Sequence, residues 1–295
     1  MESDVTGGEA APRGTLYVVS TPIGNMGDFS FRAVEVLKAV RLVLAEDTRH
    51  SRHLFERYGI TTPTVAYHEH NEAKTAPALV ARLSAGESLA LVSDAGTPLL
   101  SDPGSRLVAA AINAGIDVVP VPGASALLAA LVASGLDADR FTFFGFLTRT
   151  GSERRAALDE ITACSHTVVM YEAPNRVADT LGELEQRGNG DRAAAVAREM
   201  TKQFEEVRRG TVSELRAYYE EKAPRGEIVL VVGPAVRQPP SDEQVRDRVQ
   251  ALRKSGMSTR DAAASVAEEL GVPRRLAYRL ARDIGADEGG EESHE

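Results

Sequence analysis

The sequence has no means of forming an internal disulfide and no segment suited to crossing a membrane. Its 295 residues include one cysteine, Cys164, which agrees with a reducing compartment. No stretch approaches the roughly 18 uncharged apolar residues of a membrane helix. The beginning, MESDVTGGEAAPRG, is acidic rather than basic and then apolar. The sequence therefore predicts no secretory signal, no membrane association and a cytoplasmic location.

Several common catalytic motifs are also missing. There is no G-x-x-x-x-G-K-[ST] loop, and the G-x-G at Gly188 and Gly190 follows a predicted helix, the reverse of the order in a dinucleotide-binding loop. The segment 68–70 (HEH) and the pair His50 and His53 match no recognised zinc spacing. These absences argue against ATP hydrolysis and nicotinamide chemistry, and we predict no metal site.

Acidic residues are concentrated at the two ends of the chain. The formal net charge is −9, of which residues 1–13 carry −2 and residues 285–295 carry −5. Both ends are predicted to be disordered tails, because they are polar and poor in large apolar residues. The remaining body is close to neutral, so it can carry a local basic patch for an anionic partner.

Apolar runs alternate with amphipathic runs through the first part of the chain. The predicted strands are TLYVVS, VRLVLAED, SLALVSD and IDVVPV, and the predicted helices are FRAVEVLKAV, residues 71–83 and GSRLVAAAINAG. This alternation is typical of an α/β domain with mostly parallel strands, predicted here over residues 14–122.

The same pattern resumes after PGASALLAALVASGL. FTFFGFL, TVVMYEA, AAAVAREM and GEIVLVVG read as strands, and helices are predicted near 151–163, 175–188 and 211–222. We therefore predict a second α/β domain over residues 123–236. The segment VRQPPSDEQ ends it, because two successive prolines stop a strand.

Residues 241–284 predict a small all-α module. Three helical patterns, SDEQVRDRVQALRKSG, STRDAAASVAEELG and VPRRLAYRLARDIG, are separated at Gly256 and Gly271. Short helices joined in this way suggest a helix-turn-helix-like unit. Arg274, Arg275 and Arg279 in the last helix are candidates for nucleic-acid contact. A solvated helical bundle without that role is the alternative.

Loops rich in small residues and prolines follow several predicted strands. The most distinctive is the end of LVSDAGTPLLSDPG, and the others are STPIGNMGD, AEDTRHSRH, VPGASA, YEAPNR and AREMTKQFEE. In α/β proteins the carboxyl ends of strands are where ligands bind, and small residues let the backbone approach a ligand closely. A single loop of this kind is an ordinary turn, but a series of them predicts a binding site.

These loops, in this order and spacing, resemble the tetrapyrrole methylase superfamily. Within it, the combination of TPIGN, EDTRH and SDAGTP is similar to the branch of ribosomal RNA small subunit methyltransferase I, over about residues 14–233. The terminal helical module also resembles an appendage of that branch. The resemblance implies S-adenosylmethionine-dependent 2′-O-methylation of a cytidine ribose in the decoding region of 16S rRNA in the small ribosomal subunit. It also implies a homodimer with the cofactor between the two α/β domains.

The resemblance also implies which residues bind the cofactor. They are Pro22, Ile23, Asp94, Ala95, Gly96, Leu99, Ser125, Ala126, Tyr171, Glu172 and Met200. Asp94 is expected to accept hydrogen bonds from the cofactor's ammonium group or a hydroxyl. Leu99 and Ala126 are also compatible with ordinary core positions.

The residue that removes the ribose proton is not fixed by the sequence. Our first candidate is Lys202 with a depressed pKa, and the second is Glu199; Asp47 and Glu172 face the same crevice. An ion pair that braces the loop is an equal alternative for both leading candidates. Residues predicted to hold substrate phosphate or base edges are Asp47, Arg49, His50, His68, Asn71 and Arg176.

Two other classes of function stay open at this point. One is a methylase of the same superfamily that acts on a small molecule or a protein, such as a corrin precursor or diphthine. The other is a non-catalytic RNA-binding protein. The terminal arginines favour RNA over a small molecule as the substrate. TPIGN differs from the glycine-richer first loop of the superfamily members that act on tetrapyrroles, which argues against porphyrin chemistry. The intact cofactor loops favour an enzyme over a non-catalytic RNA-binding protein.

Overall fold

The computed structural model describes residues 13–235 and 240–288, which separate into two units after residue 235. The first unit contains two β-sheets, and the second is helical. The predicted domain end at residue 236 lies outside the described residues, as do most of the two predicted tails. Within the tails, Arg13 donates a hydrogen bond to the carbonyl of Gly115, and residues 285–288 continue the last helix.

The first half of the first unit is a doubly wound α/β layer. Its strands are β1 (Thr15–Val19), β2 (Leu42–Ala45), β3 (Thr64–Ala66), β4 (Leu89–Val92) and β5 (Asp117–Val121). Its helices are α1 (Phe31–Ala39), α2 (Thr48–Tyr58), α3 (Glu72–Ser84) and α4 (Ser105–Asn113). All five strands are parallel, in the order β3-β2-β4-β1-β5.

The direction of winding reverses between the neighbouring strands β1 and β4. Helices α1 and α2 pack on one face of the sheet, where Leu37 and Phe55 are buried. Helices α3 and α4 pack on the other face, where Leu83 and Leu107 are buried. The loops after β1 and β4 therefore leave toward opposite faces and open a crevice at the carboxyl ends of the strands.

The second half is a mixed sheet. It contains α5 (Ala126–Ser134), β6 (Phe141–Phe146), α6 (Ser152–Ala163), β7 (Thr167–Glu172), α7 (Val177–Leu184), β8 (Ala193–Arg198), β9 (Glu206–Thr211), α8 (Val212–Glu221) and β10 (Ile228–Val232). The strand order is β6-β7-β10-β8-β9, and only β6 and β7 pair in parallel. Helix α5 covers one face, and α6, α7 and α8 cover the other.

The eight strands expected from apolar runs are all present, and most of their residues are buried or half-buried. Two strands were not predicted. β3 is three residues long and largely exposed, and β9 has the sequence EVRRGT, so neither has the apolar signal of a buried strand. Helix α2 was also missed, since its sequence TRHSRHLFERY buries only Ser51, Leu54 and Phe55.

The terminal unit is the predicted three-helix module. It consists of α9 (Asp242–Lys254), α10 (Thr259–Leu270) and α11 (Arg274–Glu288). Ser241 and Ser258 cap the first two helices, and Gly271 ends the second in the left-handed conformation. Val245, Val266 and other small apolar side chains form its own buried core.

Candidate functional site

The loops after β1 and β4 are tied together by a pair of backbone hydrogen bonds. The amide of Thr21 donates to the carbonyl of Gly96 at 2.8 Å, and the amide of Gly96 donates to the carbonyl of Thr21 at 3.1 Å. Gly96 has a φ of 82°, and a Cβ there would lie 3.3 Å from Ile23 Cγ2. The left-handed conformation therefore favours glycine, and a side chain here would also push Ile23 away by a few tenths of an ångström.

A cavity of about 390 Å³ opens beside this bridge, between the carboxyl ends of the first sheet and the second half of the unit. We call it the central cavity. Its volume falls in the range of small-molecule sites, about 300–1,000 Å³. Eight residues predicted to bind a cofactor line it: Ile23, Asp94, Ala95, Gly96, Ser125, Ala126, Tyr171 and Glu172. The two halves thus bring together residues up to 149 positions apart in the sequence.

Three predicted cofactor residues do not line the central cavity. Pro22 lines a neighbouring hollow with His50. Met200 is buried in the core between α5 and the second sheet, in the same cluster as Ile23. Leu99 packs on the α3–α4 side of the first sheet and has a φ of 74°. Met200 therefore supports the wall of the cavity at Ile23, whereas Leu99 belongs to the core of the first sheet.

Five carboxyl groups line the central cavity, and two of them, on Glu172 and Glu227, are engaged by side chains of the chain itself. Glu172 accepts hydrogen bonds from Thr180 Oγ1 at 2.6 Å and from the amide of Ala173 at 2.8 Å. Glu227 pairs with Lys202 at 3.2 Å. The remaining three carboxyl groups belong to Glu46, Asp94 and Asp102.

Glu46 and Asp102 were not predicted as site residues, although both occur in the quoted loops. Burial, followed by the charge of Glu46 and with a smaller contribution from Asp94, raises the pKa of Asp102 to about 6, after a partial offset by a hydrogen bond from Ser93. Burial and the charge of Asp94 likewise raise the pKa of Glu46. In the part of the chain that the structure describes, neither carboxyl group is within 4 Å of a basic side chain. The cavity is therefore acidic and suited to a cationic ligand.

Asp94 is held by the neighbouring loop. Its Oδ1 accepts a hydrogen bond from the amide of Asp47 at 3.0 Å, which fixes the β2 loop against the β4 loop. Asp47 caps α2 and pairs with Arg49 at 2.9 Å. The hydrogen bond from Arg49 holds the pKa of Asp47 at about 2. Asp47 thus remains ionised at neutral pH, with its carboxylate engaged by its own helix and Arg49.

Lys202 belongs to a clasp that joins the loop after β8 to the segment before β10. Its Nζ lies 2.9 Å from Glu199 Oε1 and 3.2 Å from Glu227 Oε2. Burial alone would lower the pKa of Lys202, but the hydrogen bonds and charges of the two glutamates outweigh it and raise the pKa. The prediction of a depressed pKa is therefore wrong. Lys202 is an ammonium ion at neutral pH, as the alternative of a bracing ion pair requires.

The backbone around this clasp is unusual. Glu199 and Thr201 have φ values of 51° and 66°, which are uncommon for residues other than glycine. The hydroxyl of Thr201 accepts a hydrogen bond from the amide of Asn25 at 3.1 Å. A Cβ on Gly24 would lie 2.3 Å from Lys202 Cγ. The β8–β9 loop therefore packs closely against the loop after β1. The contact leaves no room for a side chain at position 24.

The predicted substrate residues fall into different places. His50 lies beside Pro22, and His68 lines a hollow that shares Glu46 and Asp102 with the central cavity. Asn71 binds the backbone of residues 66 and 68. Arg176 donates to the carbonyls of residues 147 and 148. Asn71 and Arg176 thus stabilise loops, and their side chains are not free in this arrangement.

The terminal unit carries an exposed basic face. Arg275, Arg279 and Arg282 follow a spacing of four and three residues on α11, so they share one side of the helix, and Arg274 is also exposed. Buried Ala277 and Leu280 occupy the other side. Apart from Arg279, which is 3.9 Å from Asp242, these arginines form no ion pair with any residue that the structure describes.

No helix among the described residues is long and apolar enough to span a membrane. No group of three or more histidine, cysteine, aspartate or glutamate side chains there is arranged to hold a metal ion.

Comparison with known proteins gives consistent matches. Residues 15–216 match the family model "Tetrapyrrole (Corrin/Porphyrin) Methylases". The chain is 46% identical over 277 residues to "Ribosomal RNA small subunit methyltransferase I" of Synechocystis sp., which covers 93% of this chain and 99% of that protein. A protein of the same name from Mesorhizobium japonicum is 46% identical over 280 residues, covering 93% and 95%.

A solved structure shares the fold. Uroporphyrin-III C-methyltransferase from Thermus thermophilus, complexed with S-adenosyl homocysteine, superposes with a TM-score of 0.54. It is 20% identical, and the match covers 76% of this chain and 99% of that one. The two-sheet architecture is therefore shared with that enzyme.

Proposed function

The chain belongs to the tetrapyrrole (corrin/porphyrin) methylase family, and on that premise we propose that it is an S-adenosylmethionine-dependent methyltransferase that acts on the RNA of the small ribosomal subunit. Membership confirms the resemblance and the fold class inferred from the loop sequences. The proposal concerns the reaction and its substrate.

One observation carries the choice of substrate. The match to the Synechocystis protein spans 93% of the chain, so it extends past residue 216, where the family match ends, into the terminal unit. The uroporphyrin enzyme matches only 76% of the chain. Because the basic face of α11 lies in the part beyond the family match, it supports an anionic macromolecule as the substrate rather than a small molecule.

The central cavity fits S-adenosylmethionine. That molecule is a cation with an ammonium group and a sulfonium centre, and the cavity contains the carboxyl groups of Asp94 and Asp102 without a basic partner within 4 Å. The apolar part of the cavity wall is formed by Ile23, Ala126 and Val229. When bound, the cofactor would supply a methyl group on a positively charged sulfur; a sugar oxygen could bond to the methyl carbon while the carbon–sulfur bond breaks and its electron pair stays on the sulfur.

We assign positioning as the main contribution of this chain. The Thr21–Gly96 bridge and the Lys202 clasp fix the loops from both halves, so the carboxyl groups and apolar walls keep one arrangement. Holding two reactants at near-attack distance supplies a large part of the rate enhancement in such reactions.

Lys202 and Glu199 act in this proposal as positioning residues. The ammonium of Lys202 is hydrogen-bonded to Glu199, and Glu199 Oε1 also accepts a hydrogen bond from the amide of Glu227 at 2.9 Å. The pKa of Glu199 is lowered by that backbone hydrogen bond first and by Lys202 second. Neither side chain is poised to take a proton near neutral pH.

The finer features are proposals of the same kind. They are methylation at the 2′-oxygen of a cytidine in the decoding region of 16S rRNA, a homodimer, and a cytoplasmic location where ribosomes are assembled. Support for a homodimer comes from α5, where Leu128 and Val132 lie four residues apart on one face and are both exposed.

The test is a map of ribose methylation on small-subunit RNA from cells that lack the protein. We expect one site to lose its methyl group and to regain it when the wild-type chain, but not Asp94→Ala, is restored. An unchanged map would refute the proposal and favour a small-molecule or protein substrate.

A further inference from the structure

Phe146 is an exposed aromatic residue at the mouth of the central cavity. It ends strand β6, and 60% of its surface is accessible. It lines both the central cavity and a second space of about 650 Å³, which also contains Arg149 and Thr148. We call this second space the outer hollow. Phe146 therefore stands at the boundary between the cofactor site and the surface.

The backbone is built to place this ring outward. The pairing of β6 with β7 shifts register between Phe143 and Phe146, which is a β-bulge. Inside the bulge, Gly145 has a φ of 62°, and a Cβ there would lie 2.8 Å from Ser101 Oγ. Ser101 itself has a φ of 70°. Bulges beside sites commonly re-aim a side chain, and this one turns Phe146 out of the sheet.

The ring is supported from below by two further aromatic residues. The Phe146 and Tyr171 ring centroids are 5.3 Å apart with an interplanar angle of 53°, and the Phe143 and Tyr171 centroids are 5.0 Å apart. Tyr171 also lines the central cavity. The three rings form a column that runs from the half-buried sheet to the solvent. Neighbouring rings hold Phe146 in place and shield one side of it from water. Its exposed side is a surface on which another flat ring can stack.

We propose that Phe146 is the stacking platform for the unpaired nucleobase of the nucleotide whose ribose receives the methyl group. The inference rests on the proposed function, because it requires an RNA substrate. Proteins that recognise single-stranded RNA stack unpaired bases on aromatic side chains, and enzymes that act on a base extrude it from the helix. Arg149, exposed in the outer hollow and without an ion-pair partner in the described part of the chain, lies where it can contact the phosphate backbone.

The experiment compares variants of the full chain on small ribosomal subunits that lack the methyl group. Methyl transfer from radiolabelled S-adenosylmethionine gives kcat and KM for the subunit, and calorimetry gives the Kd of the cofactor. The variants are Phe146→Ala, Phe146→Leu and Phe146→Tyr. Phe31→Ala is the matched control, because Phe31 is 90% exposed and lines none of the cavities described above.

We expect Phe146→Ala and Phe146→Leu to lower kcat/KM for the subunit about 10- to 100-fold, from the typical contribution of one base–aromatic stack. Phe146→Tyr and the control should stay within about threefold of wild type, and the Kd of the cofactor should not change. Wild-type kcat/KM in Phe146→Ala, or full activity in Phe146→Leu, would overturn the platform while leaving the methyltransferase function intact. A weaker cofactor Kd equal to the loss of kcat/KM would reassign Phe146 to the cofactor. No transfer by the wild-type chain would refute the proposed function and this inference with it.

Discussion

Asp102→Asn should stabilise the protein at neutral pH while weakening its cofactor site. The carboxyl group of Asp102 is half-buried beside Glu46 and Asp94, and burial followed by the charge of Glu46 raises its pKa from 3.8 to about 6. In the folded chain the ionised form is therefore disfavoured. The stabilising contribution of Asp102 is complete below the unfolded pKa and is lost as the pH rises through about 6.

The size of this effect follows from the shift. Two pKa units correspond to about 3 kcal/mol, and the partial exposure of Asp102 reduces this to about 1–2 kcal/mol. Asp102→Asn removes the charge that is held unfavourably at pH 7.5. We therefore expect its free energy of unfolding to exceed that of wild type by about 1–2 kcal/mol, which raises Tm by roughly 2–8 °C for a unit of this size.

Two measurements check the prediction. The first is Tm without cofactor at pH 7.5 and at pH 4.5, where the advantage of Asp102→Asn should fall to about a third, because Asp102 is then mostly protonated in the folded chain but still mostly ionised in the unfolded chain. The second is the Kd of S-adenosylmethionine at pH 7.5, which should rise about 10- to 100-fold through loss of a charge-assisted contact. Asp117→Asn, at an exposed carboxylate on β5, is the control and should change neither quantity.

A variant that is less stable than wild type at pH 7.5 would refute the reasoning. The same Tm difference at both pH values would also refute it, since the predicted gain depends on ionisation of the group that is removed. Unchanged cofactor affinity would place Asp102 outside the cofactor contacts without affecting the stability argument.

Three further predictions concern other parts of the chain. Asp94→Ala should weaken S-adenosylmethionine binding by calorimetry without unfolding the chain, with a fall in Tm of about 2–4 °C because the amide of Asp47 loses its acceptor; equal affinity would remove Asp94 from the site. Deleting residues 241–295 removes the basic face of α11, so RNA binding should weaken and depend less steeply on salt concentration, while the cofactor Kd stays the same. Loss of cofactor binding would instead show that the terminal unit is needed for the structure of the cofactor site. Lys202→Met leaves the carboxylate of Glu199, whose side chain is only 19% exposed, without its cation, so Tm should fall by roughly 2–8 °C. Lys202→Arg should recover most of this loss. An unchanged Tm in Lys202→Met would show that the clasp does not contribute to stability.

Much of the fold could be predicted because buried strands leave a simple signal. β2 and β4 lie between two layers of helices, so their sequences are continuous apolar runs, and the polar loops after them mark the site. Helix α2 and strand β9 leave no such signal. Their positions depend on neighbours distant in sequence, such as the pairing of β9 with β8.

The site was predictable in its loops but not in its electrostatics. Asp102 lies in the same quoted segment as Asp94, and nothing in the sequence distinguishes the two carboxyl groups. The difference arises when Glu46 from the β2 loop is brought beside Asp102. Lys202 shows the same limit, since its partner Glu227 lies 25 positions later in the chain and pairs with it only after the second sheet has formed.

The clasp has a consequence for the order in which the molecule is made. The hydrogen bond between Asn25 and Thr201 spans 176 positions, so the first loop of the site leaves the ribosome long before its counterpart exists. Contacts between such distant segments form late, after the loop-closure entropy has been overcome. A nascent chain that stops before residue 199 lacks Lys202 and the lining residues 226–229, so the binding site can be complete only after these segments have been synthesised.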